Sequence, residues 1–286
     1  MKSKAGFTLI EVLIAMVVSM IIMGGAYSVF MSQQKNTVAQ TDISDIQQNL
    51  RAAMDFMARD IRMAGYAGTA NGSLGDFGFV EVGFSDFSGN PSSGAMDQGF
   101  LQFSWDMDDS NSRIAGDGET VTYSLSNNTL VAPGSIALMR QRDSELVRQP
   151  LAGFIIALGL AFAYDADQDG ELDQDAAGNV IWAVDTRNDG VWDNLDTNGD
   201  GQISAADLGG AAATGQIAGT ATGVPLRPQD IRAVRIWLLG RSASPDNSYT
   251  DSNIYTVGPN VIQPNNNFRH RLLERTVLCR NMGLNL

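Results

Sequence analysis

The chain has 286 residues, a formal net charge of -13 and a pI of about 4.4, so it is long enough for one sizeable globular domain and too acidic to suit nucleic acid as a partner. Its only cysteine, Cys279, excludes an intrachain disulfide, and its apolar, strand-like neighbours predict that it is buried. The only histidine, His270, has no cysteine or acidic residue beside it in the sequence, so we interpret it as a surface or satisfied core residue rather than a zinc or catalytic one.

An apolar segment at 7–31 follows Lys2 and Lys4. It is long enough to cross the ~30 Å hydrocarbon core of a bilayer as a helix, and the lysines favour a cytoplasmic N-terminus. The small residue at which a leader could end, Gly6, precedes this segment, so the apolar helix would survive processing. The segment contains one charged residue, Glu11, although a carboxylate at the bilayer centre costs at least ~2.5–3.5 kcal/mol.

The pattern becomes amphipathic over 32–65. Apolar side chains recur there at three- and four-residue steps, which predicts a helix with one buried stripe. We therefore predict one long helix from Phe7 to Met63, ended by Gly65. Its first half spans the membrane, and its second half packs on a globular head.

The segment "KAGFTLIEVLIAM" resembles the N-terminus of type IV pilins and pseudopilins: a short basic leader, a glycine, then Phe-Thr-Leu-Ile-Glu. The resemblance implies that residues 1–6 are a leader cut after Gly6 by a prepilin peptidase, and that Phe7 becomes the N-methylated first residue. It also implies that Glu11 pairs with the N-terminal amine of a neighbouring subunit during filament assembly. Each charge is costly alone in lipid, and the two neutralise each other only when subunits assemble. The alternative is a plain membrane anchor in which a glutamate near one interface is tolerated.

Two further stretches, 48–68 and 268–281, resemble the end of the long helix and the closing strand of PilW-type minor pilins; the first also resembles, more loosely, the type II secretion pseudopilin J. The resemblance implies a subunit held in the inner membrane by one span, with a periplasmic head, that later sits in the pilus at its tip. It implies partners among minor and major pilins, the inner-membrane assembly platform and a tip adhesin, and a role in priming assembly.

The head, 66–286, is predicted to be β-rich, so that the whole chain has the α+β type IV pilin fold: a long helix packed on an antiparallel sheet. Residues 68–98 are predicted to be an irregular loop with at most short strands. A hairpin is predicted over 119–132, with its turn at Asn127-Asn128 and Leu130-Val131 returning. Other strands are predicted at 99–107, 135–141, 154–164 (buried and central), 231–240 (one apolar face of Val234, Ile236 and Leu238 against Arg235 and Trp237) and the C-terminal segment.

An Asp-rich insertion at 165–207 predicts calcium binding, because Ca²⁺ takes six to eight oxygen ligands at ~2.3–2.6 Å and an EF-hand loop supplies them from alternate positions. The segment 196–207 has this spacing, with a tight turn at Gly201 and a shorter closing residue than the usual glutamate, as in dockerin-type loops. Its candidate ligands are Asp196, Asn198, Asp200, Gln202 (through its carbonyl) and Asp207, with Ser204 holding a water.

The segment 165–176 begins in the same way and ends in alanine, so closure must come from elsewhere. Its candidate ligands are Asp165, Asp167, Asp169 and Glu171, with Asp173 or Asp175 closing the loop. In 185–196 Arg187 stands where a ligand is needed, and Asp185, Asp189 and Asp193 could assist a neighbouring site. Because the loops lack the flanking helices of a calcium sensor, we expect one or two ions to stabilise the insertion rather than to switch it.

Two other functions remain open at this point. One is a minor pseudopilin J of type II secretion, and the other is a membrane-anchored calcium-binding or adhesive protein that never enters a filament. An enzyme is not indicated, because the sequence contains no Ser/His/Asp or Cys/His set and no glycine-rich phosphate loop with its lysine.

Overall fold

The computed structural model describes residues 8–67, 77–85, 98–108, 110, 113, 116–127, 136–210 and 214–283. The chain divides into two compact units, Met1–Ser44 and Asp45–Leu286. The predicted processing residues Gly6 and Phe7 lie outside the described residues.

The predicted long helix is confirmed as α1, Leu9–Met63, with 55 residues. It contains an 18-residue window of mean hydropathy 2.4 in which none of the residues is buried, so by length and composition the helix can cross a membrane. The predicted end at Gly65 is also confirmed. Gly65 has a φ of 77°, the left-handed conformation that glycine adopts readily where helices end.

The amphipathic part of α1 forms the helical layer of the second unit. Its buried side chains form one cluster with side chains of two β-sheets, which confirms a helix packed on antiparallel sheets. Burying each large apolar side chain contributes about 1.5–3 kcal/mol, so this stripe is a main source of stability. The stripe consists of Ile46, Leu50, Ala53, Met54, Met57, Ala58 and Ile61.

The described strands form three sheets rather than the single sheet that the sequence predicts, and all neighbouring strands within them are antiparallel. In chain order the strands are β1 Gly78–Ser85, β2 Gln98–Ser104, β3 Thr120–Asn127, β4 Ile136–Arg142, β5 Gln149–Gly153, β6 Ile155–Tyr164, β7 Ala183–Val184, β8 Val191–Asn194, β9 Gly215–Gln216, β10 Thr220–Pro225, β11 Ile231–Arg241, β12 Tyr255–Val257, β13 Asn260–Ile262 and β14 His270–Leu278. The sheet orders are β1-β2-β3-β4-β5, β10-β8-β7-β6-β11-β14 and β12-β13-β9.

Strand β6 is buried and lies inside the six-stranded sheet, as predicted, between β7 and β11. The prediction of one apolar face on β11 was wrong, because Trp237 is buried as well. Val234 packs in the cluster that contains the helix, whereas Trp237 packs in a second cluster with Val257 of the three-stranded sheet. The six-stranded sheet is therefore covered on both faces.

A close backbone approach brings the small sheet onto β6. A Cβ atom on Gly159 would lie 2.5 Å from the backbone nitrogen of Gly258 and from the carbonyl oxygen of Val257. Only a residue without a side chain permits this contact, and Gly258 itself turns with a φ of 62°. Gly159 thus makes room for the second apolar layer.

One local strand prediction needs correction, and another lies partly outside the described residues. Within 68–98, predicted to be irregular, β1 has 8 residues and pairs with β2, and its Phe79 is buried against Phe103. β3, the first strand of the predicted hairpin, pairs with β4 in a register that runs from Val121↔Arg142 to Asn127↔Ile136. The predicted return at 130–131 lies outside the described residues.

Cys279 is fully buried, as predicted, and burial raises the pKa of its thiol to about 12. His270 is buried too, but it does have an acidic partner: its Nδ1 lies 2.9 Å from Oδ2 of Asp251. That partner comes from 19 residues earlier in the chain and is brought close by the fold, so the sequence neighbourhood could not show it.

Candidate functional site

Glu11 lies in the first turn of α1 and closes a capping box with Thr8. The backbone N–H and the hydroxyl of Thr8 each donate to Oε2 of Glu11 at 2.9 Å, and the N–H of Glu11 donates back to the Thr8 hydroxyl at 3.4 Å. A carboxylate in the first turn also complements the positive end of the helix dipole. Within a single chain, Glu11 thus has local hydrogen bonds but no ion pair among the described residues.

Three acidic loops in the second unit share one backbone conformation. They cover 165–171, 185–191 and 196–202. The first follows β6, the second connects β7 to β8, and the third follows β8. The fourth and sixth residues of each loop have positive φ angles, and the sixth is always glycine. The fourth residues are Gln168, Asn188 and Gly199, and the sixth residues are Gly170, Gly190 and Gly201.

The same hydrogen bonds recur in all three loops. The glycine N–H donates to Oδ2 of the first aspartate at 3.2, 2.9 and 2.7 Å for Asp165, Asp185 and Asp196. The N–H of the seventh loop residue donates to Oδ1 of the aspartate at the fifth position, at 2.8, 3.1 and 2.8 Å for Asp169, Asp189 and Asp200. The repeated sequence pattern therefore produces the same turn and the same hydrogen bonds in each loop.

In the first loop, carboxylate oxygens of Asp165, Asp167 and Asp169 all lie within 4.8 Å of one another. Asp165 is 1% exposed, and its Oδ1 has no hydrogen-bond partner among the described residues. The side chain of Arg232 approaches its other oxygen at 3.5 Å. A buried carboxylate oxygen without a donor is costly, and an oxygen-seeking cation such as Ca²⁺ fits this set.

Of the two residues predicted to close the first loop, Asp173 lies against it and Asp175 does not. Oδ2 of Asp173 accepts from the N–H of Ala166, and burial with repulsion from the loop carboxylates raises the pKa of Asp173. Asp175 instead accepts from the backbone N–H of Asn179, which lowers its pKa. Glu171 is exposed.

In the third loop, the two end residues hold the backbone. Oδ1 of Asp196 accepts from Gly199 at 2.7 Å. Asp207 closes the loop by accepting hydrogen bonds from the backbone. Its Oδ1 accepts from the N–H of Thr197 and its Oδ2 accepts from the N–H of Ser204, both at 2.8 Å. Both end carboxylates are nearly buried, whereas the predicted ligands Asn198, Asp200 and Gln202 are exposed.

The middle loop carries its own cation. The Arg187 guanidinium forms an ion pair with the buried Asp193 and lies 3.8 Å from Asp189. Asp193 also accepts from the N–H and the hydroxyl of Thr186. Asp193 therefore serves its own loop, and a guanidinium from within that loop supplies the positive charge. The guanidinium beside the first loop, Arg232, comes from β11 instead.

The sequence reasoning missed a second acidic cluster, at the adjacent ends of β2 and β3. Carboxylate oxygens of Asp106, Asp108 and Glu119 lie within 4.8 Å of one another, and Asp106 and Glu119 are 2% and 1% exposed. The signal was present as acidic residues at the end of one predicted strand and at the start of the next.

A model of the prokaryotic N-terminal methylation motif matches residues 1–27. The chain is a prepilin-like protein. A model of prepilin peptidase-dependent protein B matches residues 39–144, which include the amphipathic part of α1 and strands β1 to β4. Dependence on prepilin peptidase implies processing by that enzyme, and neither matched model describes an enzyme family.

No curated protein matches the prepilin-like chain significantly. Among solved structures, a type IV-like pilin from Thermus thermophilus has 15% sequence identity and a TM-score of 0.37, with 83% of this chain and 97% of that chain covered.

Proposed function

We propose that this prepilin-like chain is a minor pilin of the PilW group that primes type IV pilus assembly and sits at the pilus tip, with acidic loops stabilised by calcium. Cleavage after Gly6 leaves Phe7 as the N-methylated first residue. Before assembly, one span at 7–31 holds the chain in the inner membrane.

The observation that carries the proposal is Glu11 in the first turn of an apolar, exposed helix. Its hydrogen bonds with Thr8 satisfy acceptor capacity, and no cation among the described residues pairs with its negative charge. The N-terminal amine of a neighbouring pilin supplies such a charge only in the assembled filament. Assembly is then favoured by neutralising two charges that are each costly in lipid.

The size of the head supports a specialised position. Its six-stranded sheet, covered on both faces, and its three acidic loops form a larger unit than the helix requires for packing, because the helical stripe belongs to one of the two apolar clusters. A tip or priming subunit occurs once per fibre and need not repeat along a shaft, so such elaboration is tolerated there. Partners on this proposal are other minor and major pilins, the inner-membrane assembly platform and a tip adhesin.

Calcium has a structural role in this proposal. The donors in the first and third loops are oxygens, and the buried unpartnered Oδ1 of Asp165 fits a cation ligand. The ions would relieve repulsion among Asp165, Asp167 and Asp169, and the insertion would loosen where calcium is scarce.

A deletion strain tests the role. Loss of the chain should reduce the number of surface pili sharply, restoration of the wild-type chain should return them, and labelled chain should lie at fibre ends. Normal piliation together with failed export of type II secretion substrates would identify pseudopilin J instead. Normal piliation and normal secretion, with lost surface attachment, would identify an anchored adhesive protein.

A further inference from the structure

We propose that Asp106, Asp108 and Glu119 form a second divalent-cation site, separate from the Asp-rich insertion, that ties the end of β2 to the start of β3. The site would take Ca²⁺, because all three side chains offer carboxylate oxygens and none offers nitrogen or sulfur.

The geometry of the cluster brings three negative groups together in a nearly closed place. One oxygen of each carboxylate lies within 4.8 Å of the others. Among the described residues, no ion pair involves Asp108 or Glu119. Asp117 adds a fourth negative charge close by, since its Oδ1 accepts from the N–H of Glu119 at 3.1 Å.

Glu119 provides the independent sign of a ligand. It is 1% exposed, and its Oε1 accepts from the N–H of Met107 at 3.0 Å. Its Oε2 is buried and has no hydrogen-bond partner within the described part of the chain. A buried, ionised oxygen without a donor is costly enough that it acquires either a proton or a cation.

Two observations favour the cation over the proton. A single shared proton would neutralise only one of the clustered carboxylates, whereas a divalent ion neutralises two charges and contacts oxygens of all three. Asp108 is exposed, which leaves one side open for ion entry and for the water ligands that complete a calcium shell.

The position of the site gives it a structural consequence. The N–H of Trp105 donates to the carbonyl of Glu119 at 3.3 Å, so the β2–β3 pairing continues up to the cluster. Trp105 is nearly buried and stacks on Phe103 in the core. An ion at this point would hold the open end of the pairing closed over these rings.

Calcium titration calorimetry on the full chain in detergent tests the site. Glu119→Gln keeps the shape and the acceptor for Met107 but removes the charge, and Asp108→Asn changes an exposed ligand and so spares folding. Glu81→Gln removes a charge from the same sheet outside the cluster and is the control. Either cluster variant should eliminate one bound ion per chain or weaken its binding by at least the ~10- to 100-fold seen for loss of an outer-shell partner. The control should bind as the wild type does.

The test separates this site from the loops of the insertion. Asp165→Asn should remove a different calcium ion, and adding Glu119→Gln to it should still remove one more. If the loops of the insertion bind no calcium, the comparison of Glu119→Gln with the wild type still tests the cluster. Unchanged calcium binding in both cluster variants would overturn the proposal. Raised thermal stability of Glu119→Gln without calcium, with no change in ion binding, would show instead that the carboxylates share a proton.

Discussion

Replacing Gly159 by alanine should destabilise the head strongly, because the added Cβ has no space. It would lie 2.5 Å from the backbone nitrogen of Gly258 and 2.5 Å from the carbonyl oxygen of Val257. These are backbone atoms, so no side-chain rotation relieves the overlap, and the turn between β12 and β13 must move off β6. Overpacking of a core costs typically about 1–3 kcal/mol, and this contact belongs at the upper end.

The expected loss of about 3 kcal/mol corresponds to a fall in Tm of ~6–12 °C for a domain of this size. Thermal unfolding of the full chain in detergent, followed by tryptophan fluorescence, measures it, since Trp237 is buried in the affected apolar layer. Gly210→Ala is the matched control: its Cβ would meet nothing within 4 Å, so its Tm should not change. Equal Tm values for the two variants would refute the close packing of the small sheet on β6.

Three further predictions concern the charged groups. Asp165→Asn should abolish much of the rise in Tm that calcium produces, a rise worth ~2.7 kcal/mol at a calcium concentration 100 times Kd; a calcium titration of Tm in both chains checks it, and an unchanged rise would contradict the site. Arg187→Gln should make Tm more dependent on calcium, because Asp193 and its loop lose their internal cation, and an unchanged calcium dependence would count against that role. Burial lowers the pKa of His270 in spite of Asp251, so the unfolded chain binds a proton at a higher pH than the folded chain does. The free energy of unfolding should therefore fall as pH drops below 6.5, by up to ~1.4 kcal/mol per pH unit. Urea unfolding from pH 7 to 5 measures this dependence on pH, which His270→Gln should reduce.

Sequence patterns predicted those parts of the fold that depend on neighbours along the chain. The spacing of Ile46, Leu50, Met57 and Ile61 determines one helical face, and the uninterrupted apolar run of β6 indicates a strand buried on both faces. The same reasoning identified the acidic loops, because the positions of aspartate and glycine within six residues determine the turn and its hydrogen bonds.

The remaining features depend on contacts between distant residues. The burial of Trp237 requires the small sheet, which reaches β6 only through the space at Gly159. β1 contains the strand-forming residues Phe79, Val80 and Val82, but glycine and serine surround them in the sequence, and pairing with β2 decides its structure. The pair of His270 with Asp251 and the cluster around Glu119 likewise join residues that the fold brings together, so local spacing could indicate the acidic character but not the geometry.

The charge on Glu11 can be tested separately from its capping role. Glu11→Gln retains an acceptor for the two Thr8 donors and removes only the charge, and Ser19→Val removes a polar group from the same apolar helix as a control. The measurement is the amount of the chain in purified fibres relative to the amount in the membrane, by quantitative immunoblot. We expect Glu11→Gln to be inserted and processed but to be nearly absent from fibres, whereas Ser19→Val should enter them normally. Incorporation of Glu11→Gln at the wild-type level would contradict this expectation.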